Sequence, residues 1–273
     1  MKPIKKQKKI WVIKVGSAIF VEGGPMLVRD WMQQVAELKS KHKIDIIWVT
    51  SGAIATARQR TQKNWKKLPE KQALSAIGQP MVMDSYNLAL QREGLMGAQV
   101  LVTYDNITRK PERENLKNTL SKLLAWNLVP VLNENDAVAT EEIQFGDNDL
   151  LSAKIAGLLQ AERLLILTNV EGLYDQNPQK FKNAKLISHL PKVTKSLLNS
   201  LEPNAVSELG RGGMYSKIRA AAHAQAQRVP TWILRGDIHH ALLKVAQNEV
   251  IGTQIGWPTV SPKKRIIKNA AKK

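Results

Sequence analysis

Lys14 stands inside an apolar run, between Ile13 and Val15, and an ammonium placed there needs a partner or a cleft because an unpaired charge is costly to desolvate. The run gives way to Gly16-Ser17, which puts this lysine at the end of a strand and aims it into a site. A second lysine closes the stretch Gly210-Arg211-Gly212-Gly213-Met214-Tyr215-Ser216-Lys217, which leads into an alanine-rich helical pattern over residues 218–228. Glycines let backbone N–H groups approach an anion, and a helix start adds a favourable dipole, so the stretch suits a nucleotide phosphate. A turn that merely caps the helix would use the same residues. Neither G-x-G-x-x-G nor G-x-x-x-x-G-K-[ST] occurs, so this is not a P-loop.

Two polar clusters complete the candidate chemistry. Asn133-Glu134-Asn135-Asp136 follows one apolar run, and Gly146-Asp147-Asn148-Asp149 precedes a helical one. Acids at a strand's exit and a helix's start can hold Mg2+ or an ammonium group. N-capping by Asn148 or Asp149 explains one residue of the set, not all of them. Thr50-Ser51-Gly52-Ala53 adds hydroxyl and N–H donors for an anion.

Other chemistries are excluded by what the chain lacks. It has no cysteine, hence no thiolate nucleophile, disulfide or cysteine-bound metal, and a reducing cytoplasm suits it. It has no G-x-S-x-G elbow and no H-E-x-x-H, and His239-His240 reads as a solvated turn. Its seven tryptophans lie mostly in apolar runs and read as core.

These residues need a scaffold to bring them together. Runs over residues 10–15, 44–49, 98–102, 128–132, 164–167 and 230–234 read as buried parallel strands. Helical spacing covers 26–41, 70–92, 111–127, 150–159 and 214–228, with a helix-like stretch after Ser51. Residues 177–209 read as an irregular excursion with a helix around 193–201. The alternation predicts an α/β fold, a three-layer sandwich whose mostly parallel sheet is covered by helices on both faces.

With 273 residues and 43% hydrophobic content the chain can bury a sizeable core as one domain, and no apolar run reaches the roughly 18 residues of a membrane span. A signal peptide is not expected. Of the net charge of +18, residues 1–9 and 259–273 supply 11, leaving +7 for the rest, an ordinary value for a soluble domain. The division is therefore a basic tail (1–9), a domain (10–258) and a second basic tail (259–273), whose lysines would attract nucleic acid or anionic lipid only weakly.

In order, Lys14-Val15-Gly16-Ser17, residues 49–54, Ala76-Ile77-Gly78-Gln79, Asn133-Glu134-Asn135-Asp136, residues 145–153, Gly172-Leu173-Tyr174 and Gly213-Met214 with Lys217 resemble the motifs of the glutamate 5-kinases, a branch of the amino acid kinase family. The resemblance spans about residues 10–258, and a single Gly16 where aspartokinases and acetylglutamate kinases typically carry two glycines sets those relatives apart. It implies the amino acid kinase fold and ATP-dependent phosphorylation of the glutamate side-chain carboxylate, opening proline biosynthesis. Lys14 and Lys217 would stabilise the transferring phosphoryl and Asp149 would orient them. Ser51, Asn133, Asp136 and Asn148 would hold glutamate. Lys14, Thr168, Asn169 and Arg211, Gly212, Gly213, Met214, Tyr215, Ser216 and Lys217 would border ATP, with Mg2+ accompanying it and no residue assigned as a metal ligand. A homo-oligomer, feedback by proline and hand-over to glutamyl phosphate reductase are further implications. Arg211, Asn169 and Ala57 replace a usual threonine, aspartate and glycine, and the PUA domain of many members is not seen in this sequence. Another small carboxylate as acceptor, or a nucleic-acid binder on a kinase scaffold, are the alternative readings.

Overall fold

The apolar runs become strands and the segments between them helices in a computed structural model, which describes residues 9–63, 65–139, 148–201 and 213–256. In chain order these are β1 (Lys9–Val15), α1 (Ser17–Ser40), β2 (Ile44–Val49), α2 (Ala53–Thr61), α3 (Leu68–Arg92), β3 (Gly97–Val102), α4 (Tyr104–Thr108), α5 (Lys110–Ala125), β4 (Val129–Glu134), α6 (Asn148–Leu158), β5 (Arg163–Thr168), β6 (His189–Leu190), α7 (Lys195–Leu201), α8 (Met214–Ala226), β7 (Thr231–Arg235), α9 (Ala241–Ala246) and β8 (Thr253–Ile255). Among the described residues the strands form one sheet in the order β3-β4-β2-β1-β5-β7-β8-β6, parallel throughout except where β7 meets β8. The expected sandwich with a mostly parallel sheet is what forms.

The two-residue period of β1 decides where Lys14 goes. Trp11, Ile13 and Val15 enter one core, with Trp31, Tyr86 and Leu242 of α1, α3 and α9. Val12 enters the other, with Leu120, Leu151 and Ile218 of α5, α6 and α8. Side chains two apart share a face, so Lys14 emerges beside Val12, toward α6 and α8. Because β4, β2, β1 and β5 run parallel, their carboxyl ends share one edge, where Asn133, Thr50, Gly16 and Thr168 lie.

Several boundaries differ from expectation for identifiable reasons. Helix α1 is two helices joined at a kink: Gly24, with φ 58°, is non-helical, so the expected helix from residue 26 follows the kink and a further helical piece from Ser17 precedes it. Strand β3 is an edge strand, half exposed rather than buried. Strand β4 continues through Glu134, so Asn133 is held by the sheet and not by a loop. The short elements α4, β6, α9 and β8 were not expected; pieces of two to six residues leave too little periodicity to read. His239-His240 is the expected turn, with His240 at the start of α9. The tails, and the expected boundary at 258, lie outside the described residues, and β1 opens at Lys9, one residue inside the expected basic tail.

Helices α2 and α3 meet at Gly78, where an added Cβ would fall 1.8 Å from the Ala53 carbonyl oxygen. Gly78→Ala is therefore expected to push the two helices apart and cost about 1–3 kcal/mol, read from urea unfolding; a transition unchanged from the parent would contradict this packing.

Candidate active site

Strand β1, helix α6 and helix α8 each contribute one charge to a buried triangle. Lys14 Nζ lies 2.5 Å from Asp149 Oδ1 and Lys217 Nζ 3.1 Å from Asp149 Oδ2. The Ser216 hydroxyl donates to the same Oδ2 at 2.8 Å, and Ser152 Oγ donates to the Asp149 carbonyl at 2.6 Å. Asp149 is wholly buried, and Lys14 and Lys217 are 4% and 5% exposed. Burial would raise the Asp149 carboxyl, but the Lys14 and Lys217 ammoniums, aided by hydrogen bonds from Lys14 and Ser216, outweigh it and hold the group well below the usual carboxylate range. The three groups sum to one positive charge, which suits a polyphosphate.

A second, uncharged cluster adjoins the triangle through Asn148. Its Nδ2 has the Thr50 carbonyl at 2.7 Å, Ser51 Oγ at 3.1 Å and Asn133 Oδ1 at 2.6 Å. Asn133 in turn donates through Nδ2 to Gln79 Oε1 at 2.6 Å, and its Oδ1 accepts the Glu134 backbone N–H. Thr50 Oγ1 donates to the Tyr86 hydroxyl at 3.0 Å. Asp136 stands beyond this cluster under α3, with Ser75 Oγ at 3.5 Å, and desolvation pushes its carboxyl up to about 6 despite that hydrogen bond.

Anion-binding capacity comes from helix starts as well as side chains. Helices α1, α2 and α8 begin at Gly16, Gly52 and Gly213, and none of these starts has a side-chain cap. Backbone N–H groups that a serine or aspartate cap would occupy are left to a ligand. Among the described residues, nothing lies within 4 Å of where a Gly213 Cβ would be. Thr168 ends β5 buried, with exposed Asn169 after it.

The structure thus joins Lys14, Asp149 and Lys217 in one group, and Ser51, Asn133 and Asn148 in its neighbour, with Asp136 under Ser75. Gly213, Met214, Tyr215 and Ser216 form the start of α8 as expected. Asp147, Arg211 and Gly212 lie outside the described residues. Asn148 is the first helical residue of α6, and its side chain crosses to β2 and β4, which disfavours the capping alternative for this residue. Sequence reasoning passed over Gln79, Ser75, Thr50 and Tyr86 as supports. The stretch Ala76-Ile77-Gly78-Gln79 stood out only by resemblance, since a glutamine on a long helix carries no signal of its own.

A parallel sheet whose carboxyl edge gathers two lysines, an acid and glycine-started helices is the arrangement of a small-molecule kinase. Residues 9–235 match the amino acid kinase family, and the chain belongs to it. Two relatives named glutamate 5-kinase, from Nitrosococcus oceani and Nitrosospira multiformis, are 38% and 37% identical over 94% and 93% of this chain and 69% and 70% of their own lengths. Across eight such relatives the chain spans 66–70% of the relative's length. The UMP kinase of Ureaplasma parvum has the same fold at TM-score 0.60 and 15% identity, covering 92% of this chain and all of its own. The isopentenyl phosphate kinase of T. acidophilum does so at 0.62 and 14%, covering 90% and 99%.

The raised Asp136 carboxyl makes stability depend on pH. Well below the ordinary 3.8 it is neutral in folded and unfolded chains alike; between 3.8 and about 6 the unfolded chain ionises first, and above 6 the fold carries the full cost of a part-buried anion. Asp136→Asn is expected to raise stability by on the order of 2 kcal/mol at about pH 8 and by almost nothing at about pH 2.5. Equal gains at both pH values in urea melts would sink the assignment.

Proposed function

We propose that the chain transfers the γ-phosphoryl of ATP to the side-chain carboxylate of L-glutamate, giving γ-glutamyl phosphate, the first step of proline biosynthesis. The observation that carries the phosphoryl-transfer reading is the convergence of Lys14 and Lys217 on Asp149. The substrate is supported by relatives of 37–38% identity that carry the name glutamate 5-kinase.

The acceptor is already an anion at neutral pH, so no base has to remove a proton. One carboxylate oxygen attacks the γ-phosphorus, the bond from that phosphorus to the β–γ bridging oxygen breaks, and ADP departs with the electron pair. The obstacle is repulsion between acceptor and triphosphate, and the remedy is fixed positive charge aimed at the transferring group. Lys14 and Lys217 supply it from opposite sides of the Asp149 carboxylate, one ammonium per oxygen, and Ser216 steadies the Lys217 side. Asp149 thereby orients both donors and has both oxygens engaged. Mg2+ enters as the MgATP complex, held by the β- and γ-phosphates.

In this reading the opening turn of α8 and Thr168-Asn169 border the nucleotide, and Arg211 and Gly212 are further nucleotide-binding residues. Ser51, Asn133 and Asn148 present hydroxyl and amide groups to glutamate, and Asp136 faces its α-ammonium. An acyl phosphate hydrolyses readily in water, so a reductase that takes it over is the partner the product calls for. The reading also implies a cytoplasmic homo-oligomer with the kinase domain over 10–258; among the described residues no helix is long and apolar enough to cross a membrane.

Purified chain with ATP, Mg2+ and hydroxylamine should give γ-glutamyl hydroxamate with glutamate and little product with aspartate; equal rates would overturn the substrate. Lys14→Ala and Lys217→Ala should each lower kcat by about 10²-fold or more, beyond any fall in folded fraction seen by circular dichroism. Turnover within threefold of the parent would remove that lysine from the mechanism. Gln79→Leu, which leaves the Asn133 amide without its support, should raise the glutamate KM by about tenfold and leave the ATP KM alone. A rise in both would make Gln79 a general structural residue.

A further inference from the structure

A cavity of about 370 Å³ opens on the α5, α6 and α8 face of the sheet, beside the short helix α4 that follows β3. Four elements wall it: Ile107 of α4, Arg113 and Glu114 of α5, Lys154 and Leu158 of α6, and His223 of α8. Lys154 lies five residues beyond Asp149, and His223 six beyond Lys217, a rise of roughly 8–9 Å along each helix. None of its lining residues is among those assigned to ATP and glutamate, although it is built on the same two helices.

The charges around it do not balance. Arg113 and Lys154 are cations, His223 can become one, and Glu114 is the acid of the lining. Among the described residues, the side chains of Arg113, Lys154, His223 and Glu114 make no ion pair or hydrogen bond; Lys154 rests its ammonium 5.3 Å from the centre of the Tyr104 ring. Glu114 is exposed at the rim, whereas Arg113, Lys154 and His223 are half-buried. Partial burial lowers the affinity of Lys154 for its proton, and burial together with the Lys154 charge does the same to His223. The two cations, from α5 and α6, repel each other until an anion enters, an entering anion also favours the protonated form of His223 on α8, and the planar Arg113 guanidinium is suited to a carboxylate or phosphate taken through two oxygens. The volume is that of a small-molecule site and too confined for a duplex or a membrane surface.

We propose that this cavity is a second binding site, for a small anion of two or more negative charges presented by phosphate or carboxylate groups, with Arg113, Lys154 and His223 as its ligands. It stands independently of the substrate named above. Isothermal titration of the full chain with inorganic pyrophosphate, and separately with citrate, both with a saturating non-hydrolysable ATP analogue in the nucleotide site, tests it and tells phosphate from carboxylate chemistry. One probe or both should bind, and Arg113→Met and Lys154→Met should each weaken that binding at least about tenfold. Lys217→Ala should leave it within threefold of the parent, so a failed catalytic reading does not register here. Glu114→Gln, a change at an exposed rim position, should tighten it. Absence of binding by both probes at millimolar concentration, or binding indifferent to Arg113, Lys154 and Glu114 alike, would overturn the proposal.

Discussion

A carboxylate with no exposure to water can remain charged only if cations are brought to it, and Asp149 receives two. This fixes the relative placement of three elements, because β1, α6 and α8 must converge within hydrogen-bond reach of one side chain. Hydrophobic burial could have held the same three elements together as well or better, since a buried ion pair repays its desolvation poorly and is weak evidence of stability. Removing one partner, on the other hand, leaves a buried charge exposed to its full penalty. The cluster is thus costly to assemble and costly to disturb, which makes chemistry, rather than stability, the reason to have it.

The neighbouring cluster shows the complementary choice. The groups that meet at Asn148 are amides, a hydroxyl and a backbone carbonyl, which add no charge beside the triangle. Asn148 has two amide protons and three acceptors within 3.1 Å, namely the Thr50 carbonyl, Ser51 Oγ and Asn133 Oδ1. In each case Asn148 donates and the oxygen accepts, so the Ser51 hydroxyl has its own proton to offer whether or not it accepts from Asn148. In the proposed reaction a carboxylate acceptor would be met there by donors that add no charge.

Much of this was legible in the sequence for a simple reason: the strands are buried on both faces and read as unbroken apolar runs, against which Lys14 stands out as a fault. The clusters at 133–136 and 146–149 stood out likewise as polar residues where strands end and helices begin. What escaped was whatever depends on a distant partner. Gln79 and Ser75 are ordinary helix residues until α3 is laid over Asn133 and Asp136. The half-exposure of β3 follows from its place at the sheet's edge, which its own composition does not state. Gly24-Pro25 does break the helix, and the piece before the break forms because Ile19 and Phe20 are buried against the same core as Trp31 after it.

Helix α3 acts as the back wall of the acceptor half. Ser75, Gly78, Gln79 and Tyr86 recur at helical spacing along one stripe, and they meet Asp136, Ala53, Asn133 and Thr50 in turn. The phosphoryl half is built from other parts, β1, α6 and α8. The two halves are joined at consecutive residues, Asn148 and Asp149, in the first turn of α6. Neighbours on a helix point about 100° apart, so one side chain reaches β2 and β4 while the next reaches the two lysines. A rotation of α6 about its axis would therefore misplace acceptor and donor together. In the proposed reaction the distance between carboxylate and γ-phosphorus, on which in-line transfer depends, would be set by the seating of a single helical turn.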